Sequence, residues 1–296
     1  MSNKFVKYHG LGNDFILVDA RHRPELASMD ELAVAVCDRH LGIGADGLVF
    51  VLPSEDADFT MHIFNSDGSI ARMCGNGIRC FTRFVYEEDL WDGRGQLVVR
   101  TASGLRTTHI VQAEPGQFLV RVNMQPPRLD PADIPTTLQP LSGSGPVLDV
   151  PLEVNGQTVE VTCVSTGNSH AVVFVPALDQ VDLLTLGPAI EHHPAFPHRT
   201  NVHFVQVLDT HTLSMRTWER GAGLTLACGT GACAATVAAA LTGRAGRRTT
   251  VYVPGGRLNI DWREDTDDVY MTGPATRVFE GDLAPEWIAL LAQENA

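Results

Sequence analysis

The feature that most constrains this 296-residue chain is that its two halves repeat one order of residues. Under a shift of 154 positions, Met61, Phe64, Asn65, Cys74, Gly75 and Gly77 fall on Met215, Trp218, Glu219, Cys228, Gly229 and Gly231. Cys74 follows Asn65 by nine positions, and Cys228 follows Glu219 by nine. Farther upstream, Gly12-Asn13 and Gly167-Asn168 precede the two cysteines, by 61 and 60 positions counted from each Asn. The order Gly-Asn, strand, polar tip, Cys-Gly-x-Gly, helix thus occurs twice, which predicts a duplicated unit and two domains of about 150 residues each. Glycines shared at a strand-to-helix turn would serve any duplicated fold. A cysteine before Gly-x-Gly is not demanded by the turn, so its presence in both copies points to chemistry.

Short β-branched and aromatic runs predict strands over 48–52, 59–64, 97–101, 105–112 and 118–123 in the first half. In the second half they predict strands over 152–154, 159–165, 171–175, 202–208, 213–218, 250–253, 258–262 and 269–272. Helices are expected over 29–38, capped by Ser28, over 77–88, and over the Ala-rich 231–241. Each half is therefore mostly strand with one long helix. The stretch 125–146 carries Pro126, Pro127, Pro131, Pro135, Pro140 and Pro146 and reads as the connection between domains. The tail, a strand over 276–280 and a short helix over 285–293, is expected to return to the first domain. The expected division is 1–126 with 275–296 for the domain carrying Cys74, and 127–274 for the domain carrying Cys228.

Composition removes several classes of function. With 35 acidic against 22 basic side chains the formal charge is -13, unfavourable for binding a phosphate backbone or an anionic membrane. Lysine occurs only at Lys4 and Lys7, on a starting strand, so a lysine-tethered pyridoxal cofactor is not expected. The N-terminus lacks an apolar core, and no run approaches the roughly 18 apolar residues of a membrane span, so a cytoplasmic protein is expected. Six cysteines without CxxC or His/Cys knuckle spacing read as reduced thiols, with no structural zinc. Cys37, Cys80, Cys163 and Cys233 fall in apolar stretches and read as small core residues. His192-His193 reads as an exposed loop pair rather than a metal site.

Cys74 and Cys228 each precede a helix whose first N–H groups lack partners inside the helix. Those donors and the positive end of the helix dipole favour an anion, so a thiol there shifts toward thiolate and a substrate carboxylate can bind beside it. Two such units acting on one carbon would remove a proton from one face and deliver one to the other, as stereoinversion requires. Stabilising the carbanion then falls to the helix-start donors and to exclusion of water.

These motifs resemble the diaminopimelate epimerase family. The similarity runs through Tyr8-His9-Gly10-Leu11-Gly12-Asn13-Asp14-Phe15, Phe64-Asn65-Ser66-Asp67-Gly68-Ser69 and Met73-Cys74-Gly75-Asn76-Gly77-Ile78-Arg79-Cys80. It continues through Thr166-Gly167-Asn168-Ser169-His170, Thr200-Asn201-Val202, Glu219-Arg220-Gly221 and Ala227-Cys228-Gly229-Thr230-Gly231-Ala232. The resemblance implies an α+β fold of two pseudo-symmetric domains, each a β-barrel-like sheet around a central helix, with the site in the interdomain cleft. It implies interconversion of LL- and meso-diaminopimelate in lysine and peptidoglycan precursor synthesis, without cofactor or metal, commonly by a homodimer. Carried to matching positions, Cys74 and Cys228 are the acid/base thiols, and Gly75, Asn76, Gly229 and Thr230 hold the carboxylate at the reacting centre. Asn13, Asn65, Asn168, Asn201, Glu219 and Arg220 read the distal amino-acid end, and His170 and Glu219 tune the thiols. Ser169 departs from the family's usual proline, which predicts a less rigid loop before His170.

Three other readings compete. A proline or hydroxyproline racemase shares the two-thiol plan, although Glu219-Arg220 and the set of asparagines favour a long substrate with a second charged end. A related fold also supports isomerases with a single carboxylate base, which two matched cysteines disfavour. A binding module that captures a small dicarboxylate without turning it over would keep the donors but need no thiols.

Overall fold

The computed structural model describes residues 4–23, 25–26, 30–114 and 116–285. These fall into two compact units, one within Met1–Val122 and Gly273–Ala296, the other within Asn123–Thr272.

In unit 1 the strands are β1 (Lys4–Gly10), β2 (Asn13–Asp19), β3 (Gly47–Leu52), β4 (Phe59–Asn65), β5 (Leu97–Thr101), β6 (Gly104–Glu114) and β7 (Gln117–Asn123), with helices α1 (Asp30–Cys37) and α2 (Gly75–Glu87). Unit 2 holds β8 (Val150–Val154), β9 (Gln157–Ser165), β10 (Ser169–Phe174), helix α3 (Leu183–Glu191), β11 (Asn201–Asp209), β12 (Thr212–Glu219), β13 (Gly223–Thr225), helix α4 (Gly229–Leu241), β14 (Arg248–Val253), β15 (Gly256–Trp262) and β16 (Val269–Pro274). Strand β17 (Thr276–Asp282) pairs with β1 and completes unit 1.

The strand pairings make the duplication explicit. Unit 1 pairs in the order β17-β1-β2-β3-β4-β5-β6-β7, parallel only at β2–β3 and β4–β5. Unit 2 pairs in the order β8-β9-β10-β11-β12-β14-β15-β16, parallel only at β10–β11 and β12–β14. Register is shared too: Leu48 opposite Phe64 corresponds, 154 positions on, to Val202 opposite Trp218. The first strand of unit 2's order precedes its neighbour in the chain, whereas unit 1 takes that strand from the far end of the chain.

Each sheet wraps a central helix. Alternation of buried and half-buried side chains, as in Leu97–Thr101, turns one face of each strand inward. Helix α2 packs against β1, β2, β3 and β6 and buries Ile78, Phe81, Phe84 and Val85, each contributing about 1.5–3 kcal/mol on removal from water. Helix α4 packs against β9, β10, β11, β12, β14 and β15 and is buried from Gly231 to Ala239, where alanines let the backbone approach the sheet. A large residue at Ala235 would overpack that core by about 1–3 kcal/mol.

Several expectations are corrected in detail. Helices α2 and α4 start at Gly75 and Gly229, two residues before the expected starts, because each preceding cysteine caps the helix with its own side chain. Strand β2, the short β13 and helix α3 were not anticipated. Helix α3 contains Gly187 and Pro188, which read as breakers; Gly187 is required because a Cβ there would stand 2.7 Å from the Trp218 ring, and Asp182 caps the helix start. The proline-rich stretch forms no helix or strand, yet it is not a loose connection: Arg128 and Ser165 exchange backbone hydrogen bonds, and Ile134 and Val147 are fully buried in the unit 2 core. The expected Ser28 cap, and the C-terminal helix beyond Pro285, lie outside the described residues.

Candidate active site

In unit 1, Cys74 is the N-cap of α2, in extended conformation, and its Sγ accepts a hydrogen bond from the Gly77 N–H at 3.4 Å. The thiol donates to Asn13 Oδ1 at 3.6 Å, and Asn76 Nδ2 donates to the same oxygen at 3.2 Å. Asn13 is turned this way by Asp46, whose carboxylate accepts from Asn13 Nδ2 at 2.8 Å and from the Asp14 N–H at 3.1 Å. Arg39 bridges Asp14 and Asp46, and Lys7 pairs with Asp14 at 2.9 Å. Burial works to raise the Asp14 pKa, but the hydrogen bonds from Arg39 and Lys7 outweigh it and hold the group below the usual carboxylate range.

Beneath the helix start lies Arg79, fully buried. Its guanidinium donates to the Gly75 carbonyl at 2.9 Å, to Asn76 Oδ1 at 2.9 Å and to the Pro274 carbonyl at 3.0 Å. This fixes the Asn76 amide with its nitrogen toward Asn13. Asn65, at the exposed end of β4, is held in a turn by Ser69, to whose Oγ its Nδ2 donates at 2.9 Å.

Unit 2 repeats the plan. Cys228 is the N-cap of α4, and its Sγ accepts from the Gly231 N–H at 3.4 Å, with Thr230 Oγ1 3.5 Å away. Thr166 donates to the Thr230 carbonyl at 3.1 Å. Asn201 holds two turns: its Nδ2 donates to the Ser169 carbonyl at 2.9 Å and its Oδ1 accepts from the Arg220 N–H at 3.0 Å. The Arg220 guanidinium donates to the His198 carbonyl at 3.2 Å, and Glu219 accepts from Thr225 Oγ1 at 2.6 Å. Ser169 does not loosen its loop as expected, because its hydroxyl donates to the Arg199 carbonyl at 3.2 Å while its own carbonyl is held by Asn201.

His170 is fully buried on β10. Its Nε2 lies 2.8 Å from Asn168 Oδ1, and its Nδ1 lies 2.8 Å from Nε2 of His203. The Nδ1 of His203 in turn lies 3.0 Å from Thr217 Oγ1. Burial, followed by the neighbouring His203 and Arg220, pushes the His170 pKa well below the ordinary imidazole value, and burial takes His203 down to about 3.

Within each unit the structure therefore gathers the residues expected from sequence: Cys74, Gly75, Asn76 and Asn13 in unit 1, and Cys228, Gly229, Thr230, Asn168 and His170 around one helix start in unit 2. Asn65 and Glu219 end β4 and β12, Asn201 opens β11, and Arg220 begins the turn after β12. Sequence reading missed Asp46, Arg79, His203 and Glu191, the last of which accepts from Trp218 Nε1 at 2.8 Å and from the Gly221 N–H at 3.0 Å. Arg79 stands one helical turn after Gly75 and Asn76, a spacing visible in the sequence, but its full burial beneath the helix start shows only in the fold. Cys37, Cys80 and Cys163 are buried among apolar side chains, and burial pushes each thiol up to about 12, away from reactivity. His192 caps the end of α3 and is exposed. Among the described residues no group of three His, Cys, Asp or Glu side chains forms a metal site, and no helix is long and apolar enough to cross a membrane.

Comparison with known proteins agrees with these motifs. The sequence model of the family described as diaminopimelate epimerase matches residues 5–129 and 162–278. Diaminopimelate epimerase from Microcystis aeruginosa is 54% identical over 283 residues, 95% of this chain and 99% of that protein. The enzyme of that name from Moorella thermoacetica is 54% identical over 280 residues, covering 94% and 98%. Among solved structures, a PhzF-family phenazine biosynthesis protein of Bacillus anthracis superposes with a TM-score of 0.68 at 18% identity, covering 95% of this chain and 98% of that one. A probable proline racemase from Agrobacterium radiobacter gives 0.67 at 16%, covering 95% and 93%; both likenesses show the shared fold. With the family model matched in both units and relatives more than half identical almost end to end, the chain belongs to the diaminopimelate epimerase family.

Proposed function

We propose that the protein interconverts LL- and meso-2,6-diaminopimelate, an isomerase step in lysine and peptidoglycan precursor synthesis, using Cys74 and Cys228 as the acid/base pair and no cofactor or metal. The observation that carries this reading is the repeated thiol cap: in each unit the cysteine sulfur accepts an N–H of the helix that it opens, at 3.4 Å. Donors aimed at sulfur stabilise the thiolate over the thiol, as a base near neutral pH requires. In one direction the first thiolate takes the α-hydrogen as a proton, leaving its electron pair on carbon, and the second thiol delivers its own proton to the opposite face. The roles are exchanged in the reverse direction.

The N–H groups of Gly75, Asn76, Gly229 and Thr230 would hold the substrate's reacting carboxylate and spread the carbanion charge. Asn13, Asn65, Asn168, Asn201 and Arg220 would bind the distal end, with Glu219 meeting its ammonium, and His170 and Glu219 would tune the thiols. A reduced compartment suits a pair of working thiols, which supports a cytoplasmic location. A homodimer is supported by the family resemblance, and a formal charge of -13 argues against nucleic acid or anionic membrane as partners. Incubation with LL-diaminopimelate, meso-diaminopimelate and proline in deuterium oxide tests the reading. Epimerisation of diaminopimelate with solvent deuterium at the α-carbon supports it; exchange with proline alone rejects it.

A further inference from the structure

The duplication supplies an internal control for the buried histidines. By strand pairing and position, Phe15, Val49 and Ile63 of unit 1 correspond to His170, His203 and Thr217 of unit 2, and Asn13 corresponds to Asn168. The three unit 1 side chains are apolar and buried, and Phe15 and Ile63 pack against Gly77 at the start of α2. The packing of that position is thus met by hydrocarbon. In unit 2 the same place holds two fully buried imidazoles and a hydroxyl, linked in a row from Thr217 to Asn168. Polar groups where the fold accepts apolar ones need another reason.

The donors fix a direction. Asn168 Oδ1 can only accept, so His170 Nε2 carries a hydrogen. With both rings neutral, His170 Nδ1 must accept from His203 Nε2–H, and His203 Nδ1 must accept from the Thr217 hydroxyl. Every polar atom of both rings is then satisfied. Asn168 Oδ1 is held, while its Nδ2 has no side-chain or backbone partner among the described residues.

We propose that His203 is a positioning residue for the reaction: it locks His170 in the Nε2–H tautomer, which orients the Asn168 carboxamide so that its Nδ2 donors are presented to the substrate. The inference rests on the proposed role of Asn168 in binding the substrate, but its structural half can be read separately. Burial depresses the ionisation of both rings, which keeps the chain neutral and one-way.

Heteronuclear NMR of isotopically labelled histidine rings in the full-length protein should find His170 and His203 both neutral and both protonated at Nε2 over about pH 6 to 8. A proton on Nδ1 of His170, or a charged ring, overturns the proposal whatever the enzyme acts on. In the kinetic arm, His203→Leu should raise the KM for LL-diaminopimelate about tenfold, with a smaller change in kcat, as expected for the loss of one oriented hydrogen bond. His203→Gln, whose amide can still donate to His170, should restore KM to within about twofold of wild type. Thr217→Val keeps the shape and should shift the His170 ring resonances although His203 stands between the two. A His203→Leu protein with unchanged KM, or Leu and Gln variants that lose only stability and to the same degree, would overturn the positioning role. Wild-type protein that leaves diaminopimelate unchanged would reject the functional reading instead, with the tautomer result unaffected.

Discussion

Replacing Gly231 by alanine places a methyl group 2.2 Å from Cε1, 2.7 Å from Nε2 and 2.8 Å from Nδ1 of His203, whereas an ordinary contact begins near 3.4 Å. The ring must retreat by more than 1 Å, and it is held at both nitrogens, by His170 and by Thr217. Overpacking costs about 1–3 kcal/mol, two disturbed buried hydrogen bonds about 0.5–1.5 kcal/mol each, and the gain from alanine in a helix returns up to about 1 kcal/mol. The net expectation is a loss of about 3 kcal/mol. The matching Gly77→Ala is a control within the same molecule, since its Cβ meets Cys74 and Ile63 at 3.3 Å and Phe15 at 3.6 Å, contacts that yield by a few tenths of an ångström. That variant should stay within about 1 kcal/mol of wild type. Hydrogen exchange read by mass spectrometry separates the units: protection of α4 should fall roughly a hundredfold in Gly231→Ala, and protection of α2 should hardly change in Gly77→Ala. Equal protection in the two variants would refute the argument that His203 is pinned beneath the helix start.

Further predictions concern the same buried groups. His203 titrates near its ordinary 6.5 when unfolded and at about 3 when folded, and His170 is depressed as well, so the unfolded chain binds more protons in acid. The stability that these rings contribute is present above about pH 6.5 and is lost as the pH falls toward about 3; His203→Gln should flatten this slope in urea titrations, and an unchanged slope would contradict it. Arg79→Lys should lower stability by about 3 kcal/mol, because one ammonium cannot reach the Gly75 and Pro274 carbonyls and Asn76 Oδ1 together. Thermal unfolding checks this, and a melting temperature equal to wild type would show that the bridge contributes nothing.

The duplication was legible because it is written in residues that have few substitutes: a cysteine, two glycines and an upstream Gly-Asn at one spacing. Most strands were legible from β-branched runs, and the central helices from their apolar content. Their starts were misplaced by two residues because a thiol is an unusual cap, and its acceptor role shows only when Gly77 and Gly231 turn their N–H groups back toward it. Helix α3 was hidden by Gly187 and Pro188, and the need for Gly187 depends on Trp218, a residue far along the chain. The residues that orient the site were the least visible. Asp46 matters only because β2 brings Asn13 beside it, and His203 looks like one polar residue in an apolar strand until His170 and Thr217 pair with it from either side.

In the proposed mechanism the two thiols, one from each unit, act on opposite faces of a single α-carbon. Solvent exchange by Cys74→Ala and Cys228→Ala in deuterium oxide, scored separately on LL- and meso-diaminopimelate, tests it most directly. Neither variant should invert the centre, and each, using its surviving thiol, should exchange the α-hydrogen of one stereoisomer with retention, the two variants choosing opposite isomers. Inversion by either variant, or exchange of the same isomer by both, would contradict it.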